Sequence, residues 1–222
     1  MIIEKELMQE NIKTYIINLE KRTSRRVHSV NQFSKKNQFK ITLIKAIENK
    51  NGALGLWQTI VQIIENVTIK EDDYILICED DHRFTKNYDA QKLSNLIKEA
   101  QEKQADILLG GISWFKDALQ VSENLFWIDS FTGLQFTIIF KQFFRKILEA
   151  SFTATDVADL KISALTENKF VIAPFVSVQK EFGYSDVTFK NNGTARVERL
   201  FKDVNSKLED LMKVTNFYNV AK

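Results

Sequence analysis

The chain has 222 residues, of which 44% are hydrophobic and 27% are charged, so it can bury the core of one domain and is not disordered by composition. The formal net charge of +2 argues against a protein that binds nucleic acid through bulk charge. One cysteine and two histidines exclude a disulfide framework and argue against a Cys/His metal centre, so any metal ion would need oxygen ligands.

Apolar periodicity predicts the order of strands and helices along the chain. Strands are predicted at residues 15–19, 39–43, 74–78, 107–109, 125–129 and 134–140, and an extended segment at 170–178. Helices are predicted at residues 23–33, 52–64, 89–103, 141–150, 156–165 and 196–218. The alternation over the first 110 residues predicts an α/β fold with a mostly parallel central sheet, flanking helices and a C-terminal helix.

Three consecutive carboxylates, Glu79, Asp80 and Asp81, follow the apolar strand at 74–78 without a spacer. Ligands of α/β proteins bind at the carboxyl ends of the strands. Like charges this close repel one another unless a cation compensates them, and carboxylate oxygens suit Mg²⁺ or Mn²⁺. The triplet therefore predicts a divalent metal site, and the alternative is a polar turn like the acidic triplet at 71–73, which precedes the strand.

Basic residues lie where the first predicted strand passes into the first helix. Asn18 is followed by Arg22, Arg25 and Arg26. Guanidinium groups match phosphate oxygens with paired hydrogen bonds, and a helix N-terminus adds backbone N–H donors. The segment is predicted to bind a diphosphate, and the alternative is a solvated basic helix face. The sequence has no Walker phosphate loop, no dinucleotide fingerprint and no serine-nucleophile elbow.

Three sequence blocks occur in a fixed order within residues 14–84. The first is Tyr-Ile-Ile-Asn-Leu at 15–19 with the arginines that follow it, the second is Gly-Ala-Leu-Gly at 52–55, and the third is Glu-Asp-Asp at 79–81. Together they resemble glycosyltransferase family 25, which includes bacterial lipooligosaccharide galactosyltransferases and the collagen galactosyltransferases. In the family the second block reads Gly-x-x-Gly-Cys-x-x-Ser-His, whereas this chain has Leu56, Thr59 and Ile60 at the last three conserved places.

The resemblance implies a single GT-A-like glycosyltransferase domain. Its parts would be a nucleotide-binding half at 1–110, an acceptor half at 111–195 and a C-terminal helix at 196–222. The implied reaction is metal-assisted, inverting transfer of a sugar, here galactose, from UDP-galactose to a glycan or lipid-linked saccharide such as lipopolysaccharide. The departures in the second block leave open an inactive protein that binds a nucleotide sugar or glycan. A nucleotidyltransferase that releases pyrophosphate is a further alternative.

The resemblance also distributes roles over the candidate residues. Asp81 is expected to bind Mn²⁺ or Mg²⁺ with help from Glu79 or Asp80. The residues expected to contact the donor are Asn18, Arg22, Arg25, Arg26, Gly52, Gly55, Glu79 and Asp80. The candidates for the catalytic base are Asp156 and Asp159. The alternative for Asp156 is the N-cap of the predicted helix, and for Asp159 a solvated carboxylate in its first turn.

Two further features remain open at this level. An aromatic cluster could form an acceptor platform or pack in the core: Trp114, Phe115, Phe126, Trp127 and Phe131. Basic residues beside the apolar stripe of the C-terminal helix allow peripheral contact with an anionic inner membrane, whereas its acidic residues favour packing against the domain. No signal peptide and no membrane-spanning run is evident, so we expect a cytoplasmic protein.

Overall fold

A computed structural model describes residues 11–66, 73–183 and 195–219. Its strands are β1 (Ile12–Asn18), β2 (Phe39–Lys45), β3 (Tyr74–Glu79), β4 (His82–Phe84), β5 (Ile107–Leu109), β6 (Trp114–Phe115), β7 (Ala118–Gln120), β8 (Leu125–Ile128), β9 (Phe131–Thr132), β10 (Phe136–Phe140), β11 (Lys169–Ile172) and β12 (Ser177–Gln179). Its helices are α1 (Thr23–Phe33), α2 (Gly52–Asn66), α3 (Ala90–Glu102), α4 (Lys141–Glu149), α5 (Ala158–Ala164) and α6 (Arg196–Asn219).

The central sheet of the described residues has eight strands in the order β2-β1-β3-β10-β5-β11-β8-β7. Six of these strands run in one direction, while β8 and β10 run in the opposite direction. The predicted α/β class is confirmed, with its mostly parallel sheet, flanking helices and C-terminal helix. Two short antiparallel pairs, β4 with β12 and β6 with β9, lie outside this sheet.

Alternating side chains of the buried strands feed two apolar layers, one on each face of the sheet. In β3, Ile75 and Ile77 pack in the layer that includes residues of α2, α4, α5 and α6. Leu76 and Cys78 pack in the other layer, with residues of α1 and α3. Strands buried on both faces read as continuous apolar runs, which is why the sequence identified them. Each fully buried Leu or Ile contributes about 1.5–3 kcal/mol to stability.

The structure corrects the start of one helix. Helix α5 begins at Ala158, and its N-cap position is Val157, which has no capping side chain. Asp156 is therefore not the N-cap that the sequence suggested. A contrasting case is α3, where the carboxylate of Asp89 accepts a hydrogen bond from Lys92 N at 2.8 Å and caps the helix.

The C-terminal helix α6 packs on the domain through four buried residues: Val197, Phe201, Val204 and Leu208. Its last turns expose a second set of apolar side chains: Leu211, Val214, Phe217 and Tyr218. Within the described residues, no helix is both long enough and apolar enough to traverse a lipid bilayer. The first two residues of the acidic triplet at 71–73 and the whole segment at 184–194 lie outside the described residues.

Candidate active site

The candidate site is built on the carboxyl ends of two neighbouring parallel strands. β1 and β3 pair with Ile17 opposite Glu79, so the residues that follow in each strand meet at the same edge of the sheet. Asn18 Nδ2 donates a hydrogen bond to Asp80 Oδ2 at 2.8 Å, and both residues are buried. Asn18 of the first block and Asp80 of the acidic triplet are thus in direct contact.

Helix α1 brings two of the three predicted arginines to this edge. Arg25 Nη1 donates to Asp80 Oδ1 at 3.1 Å and to Asp81 Oδ2 at 3.2 Å. Arg22 Nη1 lies 3.7 Å from Asp80 Oδ1. Arg25 is only 4% exposed, whereas Arg26 is exposed and, among the described residues, contributes to neither cavity of the site. The structure therefore brings Arg22 and Arg25 together with the triplet and leaves Arg26 on the surface.

Burial and the close approach of several carboxylates raise the pKa values of Glu79 and Asp81. Burial, followed by repulsion from Asp81, Asp80 and Asp159, raises the pKa of Glu79 well above its ordinary value. Burial, followed by repulsion from Asp80, raises the pKa of Asp81 to about 6, although Arg25 opposes this shift. Oxygen Oδ1 of Asp81 is buried and has no hydrogen-bond partner among the described residues. A cation at this place would relieve both the repulsion and the unpartnered oxygen.

Asp159 joins the acids from a distant part of the chain. Gly133 N donates to Asp159 Oδ2 at 3.1 Å, and Leu160 N donates to Asp159 Oδ1 at 2.9 Å. Burial raises the pKa of Asp159, and the two backbone N–H groups oppose the rise. Gly133 has a φ of +111°, and a Cβ there would approach Gln135 Oε1 to 3.1 Å, so the turn that supplies this donor favours glycine.

Asp156 has a different environment although it lies three residues before Asp159. Its Oδ2 accepts a hydrogen bond from Thr153 N at 2.7 Å and pairs with Lys161 Nζ at 3.2 Å. The backbone N–H of Thr153, with help from Lys161, holds the pKa of Asp156 below its ordinary value. In the part of the chain that the structure describes, Asp156 lines neither cavity. Of the two predicted bases, the fold brings only Asp159 to the acidic triplet.

Two adjoining cavities open at this edge of the sheet. The acidic cavity, of about 320 Å³, is lined by charged residues of several elements: Arg22, Arg25, Glu79, Asp81, Asp159, Lys180 and Glu181. The strand-end cavity, of about 560 Å³, is lined by residues that follow β1 and β2, among them Leu19, Ala46, Ile47, Glu48 and Asn49. Arg22, Leu56 and Glu79 line both cavities and so form the wall between them.

Of the residues in and after the Gly-Ala-Leu-Gly block, some line the site and others pack inside the domain. Gly52 lines the strand-end cavity, but Gly55 lies under the preceding loop, where a Cβ would come within 2.5 Å of Ile47 O. Thr59 Oγ1 accepts a hydrogen bond from Ile47 N at 2.9 Å and is fully buried. Ile60 is buried in the core, so position 60 carries an apolar packing residue where family 25 has histidine.

Two residues of the acidic cavity carried no recognisable sequence signal. Lys180 N donates to Asp81 O at 2.8 Å, next to the pairing of β12 with β4, which places this segment beside the triplet. The ring of Phe182 lies under two cations, with Arg25 Cζ at 4.9 Å and Lys180 Nζ at 4.8 Å from its centroid. The long-range pairing of β12 with β4 brings Lys180 and Phe182 to the site.

The five aromatic residues near the middle of the sequence lie away from the two cavities. Phe126 and Phe131 are fully buried in the core, and Trp127 Nε1 donates to Glu167 O at 2.7 Å. Trp114 is 46% exposed. In the ranges that the structure describes, none of the five lines either cavity, which favours the packing interpretation over the acceptor platform.

The residues present fit a hard divalent cation. Glu79 and Asp81 both face the acidic cavity, and Asp81 offers an unpartnered buried oxygen. Over residues 11–66, 73–183 and 195–219, no cluster of three or more metal-ligating side chains is present. Two carboxylates suffice for Mg²⁺-like ions, because such ions take their remaining ligands from substrate phosphates and water.

Comparisons with known proteins give no family for the chain. No protein-family model matches it, and no curated protein matches it. Two solved structures of UDP-glucose pyrophosphorylase, one apo and one with UDP-glucose, are similar to 88% of this chain at 10% identity and a TM-score of 0.47, over 82% and 81% of their own lengths. HddC from Yersinia pseudotuberculosis is similar over 83% of this chain and 79% of its own, at 9% identity and a TM-score of 0.43. Likeness at this level supports no assignment of activity, and the resemblance to family 25 stays a prediction.

Proposed function

We propose that this chain is a nucleotide-sugar-dependent glycosyltransferase. It transfers galactose from UDP-galactose, with inversion, to a glycan or lipid-linked saccharide such as lipopolysaccharide on the cytoplasmic side of the inner membrane. The observation that supports this most strongly is the wall between the two cavities, where Arg22 and Glu79 stand beside Asp81. A basic and acidic boundary between two cavities suits a donor with a nucleoside on one side, a sugar on the other and a diphosphate between them.

Each part of the donor (nucleoside, diphosphate and sugar) has a chemically suitable place in the two cavities. The nucleoside enters the strand-end cavity, where Leu19, Ala46 and Ile47 offer apolar surface for a base. The diphosphate lies at the shared wall, where the guanidinium of Arg22 can bond its oxygens. The sugar and the acceptor hydroxyl meet in the acidic cavity.

Glu79 and Asp81 would hold a divalent cation, Mn²⁺ or Mg²⁺, at the diphosphate. Such a cation neutralises the negative charge that grows on the departing nucleoside diphosphate. Asp80 has both carboxylate oxygens engaged by Asn18 and Arg25 and is the least suited of the three acids to this role.

Asp159 is the base that takes the proton of the acceptor hydroxyl. Gly133 N–H and Leu160 N–H fix its carboxylate in the wall of the acidic cavity. Its pKa is raised by burial, which makes the carboxylate a stronger base than an exposed aspartate. Removal of the proton as the hydroxyl attacks the sugar carbon opposite the leaving diphosphate gives an inverted product.

The test is a screen of UDP- and GDP-sugars with purified protein, with and without a lipopolysaccharide acceptor. We expect UDP-galactose to be consumed with release of UDP, in the presence of Mn²⁺ or Mg²⁺ and not in EDTA. In a parallel reaction that supplies UTP and galactose 1-phosphate, release of pyrophosphate would identify a nucleotidyltransferase instead. Tight binding of UDP-galactose without turnover would identify a binding protein that keeps the fold.

The last turns of α6 support the proposed membrane contact. Leu211, Val214, Phe217 and Tyr218 are exposed on one side of this helix. Cosedimentation with vesicles that contain anionic lipid tests this contact, and retention of the protein in the supernatant would argue against it.

A further inference from the structure

The middle acid of the triplet differs from its neighbours in how its oxygens are used. Asp80 Oδ2 accepts a hydrogen bond from Asn18 Nδ2 at 2.8 Å. Asp80 Oδ1 accepts from Arg25 Nη1 at 3.1 Å and lies 3.7 Å from Arg22 Nη1. The side chain of Asp80 is only 5% exposed. Both of its oxygens are therefore engaged by side chains of the protein itself.

Asp81 has the opposite arrangement. Its Oδ2 accepts from Arg25 Nη1 at 3.2 Å, but its Oδ1 has no hydrogen-bond partner among the described residues. A ligand could bind Oδ1 of Asp81 without breaking any hydrogen bond. A metal ion at Asp80 would instead displace Asn18 or the arginines from a buried carboxylate, and a buried charge that loses its partners is strongly destabilised.

Asn18 extends this network to the backbone of the loop that carries the arginines. Its Nδ2 lies 3.2 Å from Arg22 O as well as 2.8 Å from Asp80 Oδ2, so the same amide fixes the entry to α1 and the carboxylate. Arg22 is the N-cap position of α1, and its own side chain makes no capping hydrogen bond. Its guanidinium lines both cavities.

We infer that Asp80 is a positioning residue: together with Asn18 it holds Arg22 at the wall between the two cavities and Arg25 beside it in the acidic cavity, where they meet the donor's diphosphate, and it does not bind the metal. This inference rests on the proposed function, since it assigns the two arginines to a diphosphate. It departs from the sequence expectation that Asn18 and Asp80 contact the donor themselves. Asp80 then positions the arginines, while Glu79 and Asp81 bind the cation.

The first test compares Asp80→Asn with Asp81→Asn by calorimetry, with Mn²⁺ alone and UDP as separate probes. Asp80→Asn should weaken UDP binding about tenfold or more, because the arginines lose their anchoring charge, while its Mn²⁺ affinity stays within about threefold of wild type. Asp81→Asn should lose Mn²⁺ binding. Loss of Mn²⁺ binding in Asp80→Asn to the same extent would overturn the inference.

The second test measures positioning without any nucleotide. Phenylglyoxal labels accessible arginines, and mass spectrometry locates the sites. Arg25 is 4% exposed in the native arrangement, so it should label slowly in wild type and at least about tenfold faster in Asp80→Asn. Asn18→Ala keeps the charge pair and should change the rate in the same direction by less. Unchanged labelling of Arg25 in both folded variants would contradict the inference.

Asp89→Asn is the matched control, since it makes the same change at an exposed cap of α3, away from the site. It should leave Mn²⁺ binding, UDP binding and Arg25 labelling as in wild type. Wild-type protein that binds neither UDP nor UDP-galactose would refute the proposed function and the diphosphate assignment. The labelling rates would still decide whether Asp80 holds the arginines.

Discussion

The two cavities differ in how far apart in sequence their walls lie. The lining residues of the strand-end cavity all fall within the ranges 17–22, 46–56 and 79–80, in β1, α2, β3 and the loops that follow β1 and β2. The acidic cavity combines residues near 22–25 and 79–81 with others at 113, 132–134, 157–160, 179–183 and 197–200. The strand-end cavity is formed at the ends of the neighbouring parallel strands β1, β2 and β3. The acidic cavity forms only when the second half of the chain packs against this edge of the sheet. The proposed nucleotide recognition therefore uses segments from the first part of the chain, whereas the proposed chemistry also needs segments from the second part.

The largest effect is expected at Asp81, in the acidic cavity beside the shared wall. Asp81→Asn removes the carboxylate with the unpartnered oxygen and should lower metal-dependent release of UDP from UDP-galactose about a thousandfold or more, because a fixed cation contributes several kcal/mol to leaving-group stabilisation. Initial rates across a MnCl₂ titration measure this. Asp117→Asn, at an exposed position, is the control and should retain the wild-type rate. A rate for Asp81→Asn that matches this control would exclude Asp81 as a metal ligand.

The next effect separates two carboxylates that the sequence could not distinguish. Asp159→Asn should lower kcat about a hundredfold, since general-base catalysis contributes about 10²–10⁴. UDP affinity should change little, because Asp159 lines the acidic cavity and not the strand-end cavity. Asp156→Asn is the matched control, and its rate should stay within about twofold. The reverse order of the two kcat values would make Asp156 the base.

This pair of aspartates shows where sequence reasoning ends. The apolar runs, the acidic triplet and the arginines are patterns of adjacent residues, so the longer strands could be predicted, and Arg22 and Glu79 of the shared wall could be chosen as candidates. Asp156 and Asp159 are both polar residues near the start of the same helix, and their difference depends on Gly133, which lies more than twenty positions earlier in the chain.

The same limit applies to strand order and to the far wall of the acidic cavity. Strand β10 lies antiparallel between β3 and β5, and no local pattern specifies that position. Lys180 reaches the triplet through the pairing of β12 with β4. Pairings between distant segments depend on the whole core, which periodicity along one segment does not report.

The acids should also give the metal-free protein a pH-dependent stability. Burial raises the pKa of Asp81 from 3.8 to about 6, so the folded state binds more protons than the unfolded state between these values. The associated stabilisation is present below about pH 4 and is lost as the pH rises through about 6. In EDTA, the melting temperature should therefore fall by a few degrees over this window.

Asp81→Asn is the variant that isolates this effect. It removes the titrating group and part of the repulsion on Glu79, so its melting temperature should change less with pH than that of wild type. Saturating Mn²⁺ should raise the wild-type melting temperature most at neutral pH, where the carboxylates are ionised. Parallel melting curves for the two proteins across the window would show that Asp81 titrates normally in the fold.

The smallest effect is expected at the outer wall of the acidic cavity, where α6 begins. Glu181 accepts hydrogen bonds from Val197 N at 2.6 Å and from Ala195 N at 2.5 Å, which ties the segment after β12 to the first turn of the helix. Glu181→Gln removes one acceptor and the charge that complements the helix dipole. It should lower the free energy of unfolding by about 1 kcal/mol, as measured in urea.

The kinetic consequence of the same change distinguishes the two cavities. Val197 and Leu200 of α6 line the acidic cavity, so a loosened first turn should raise the KM for the acceptor while UDP affinity stays within about twofold. Glu102→Gln, at an exposed position in α3, is the control, with a change within about 0.5 kcal/mol. Equal weakening of UDP and acceptor binding by Glu181→Gln would mean that the two cavities respond as one unit, because none of the described residues that line the strand-end cavity belongs to α6.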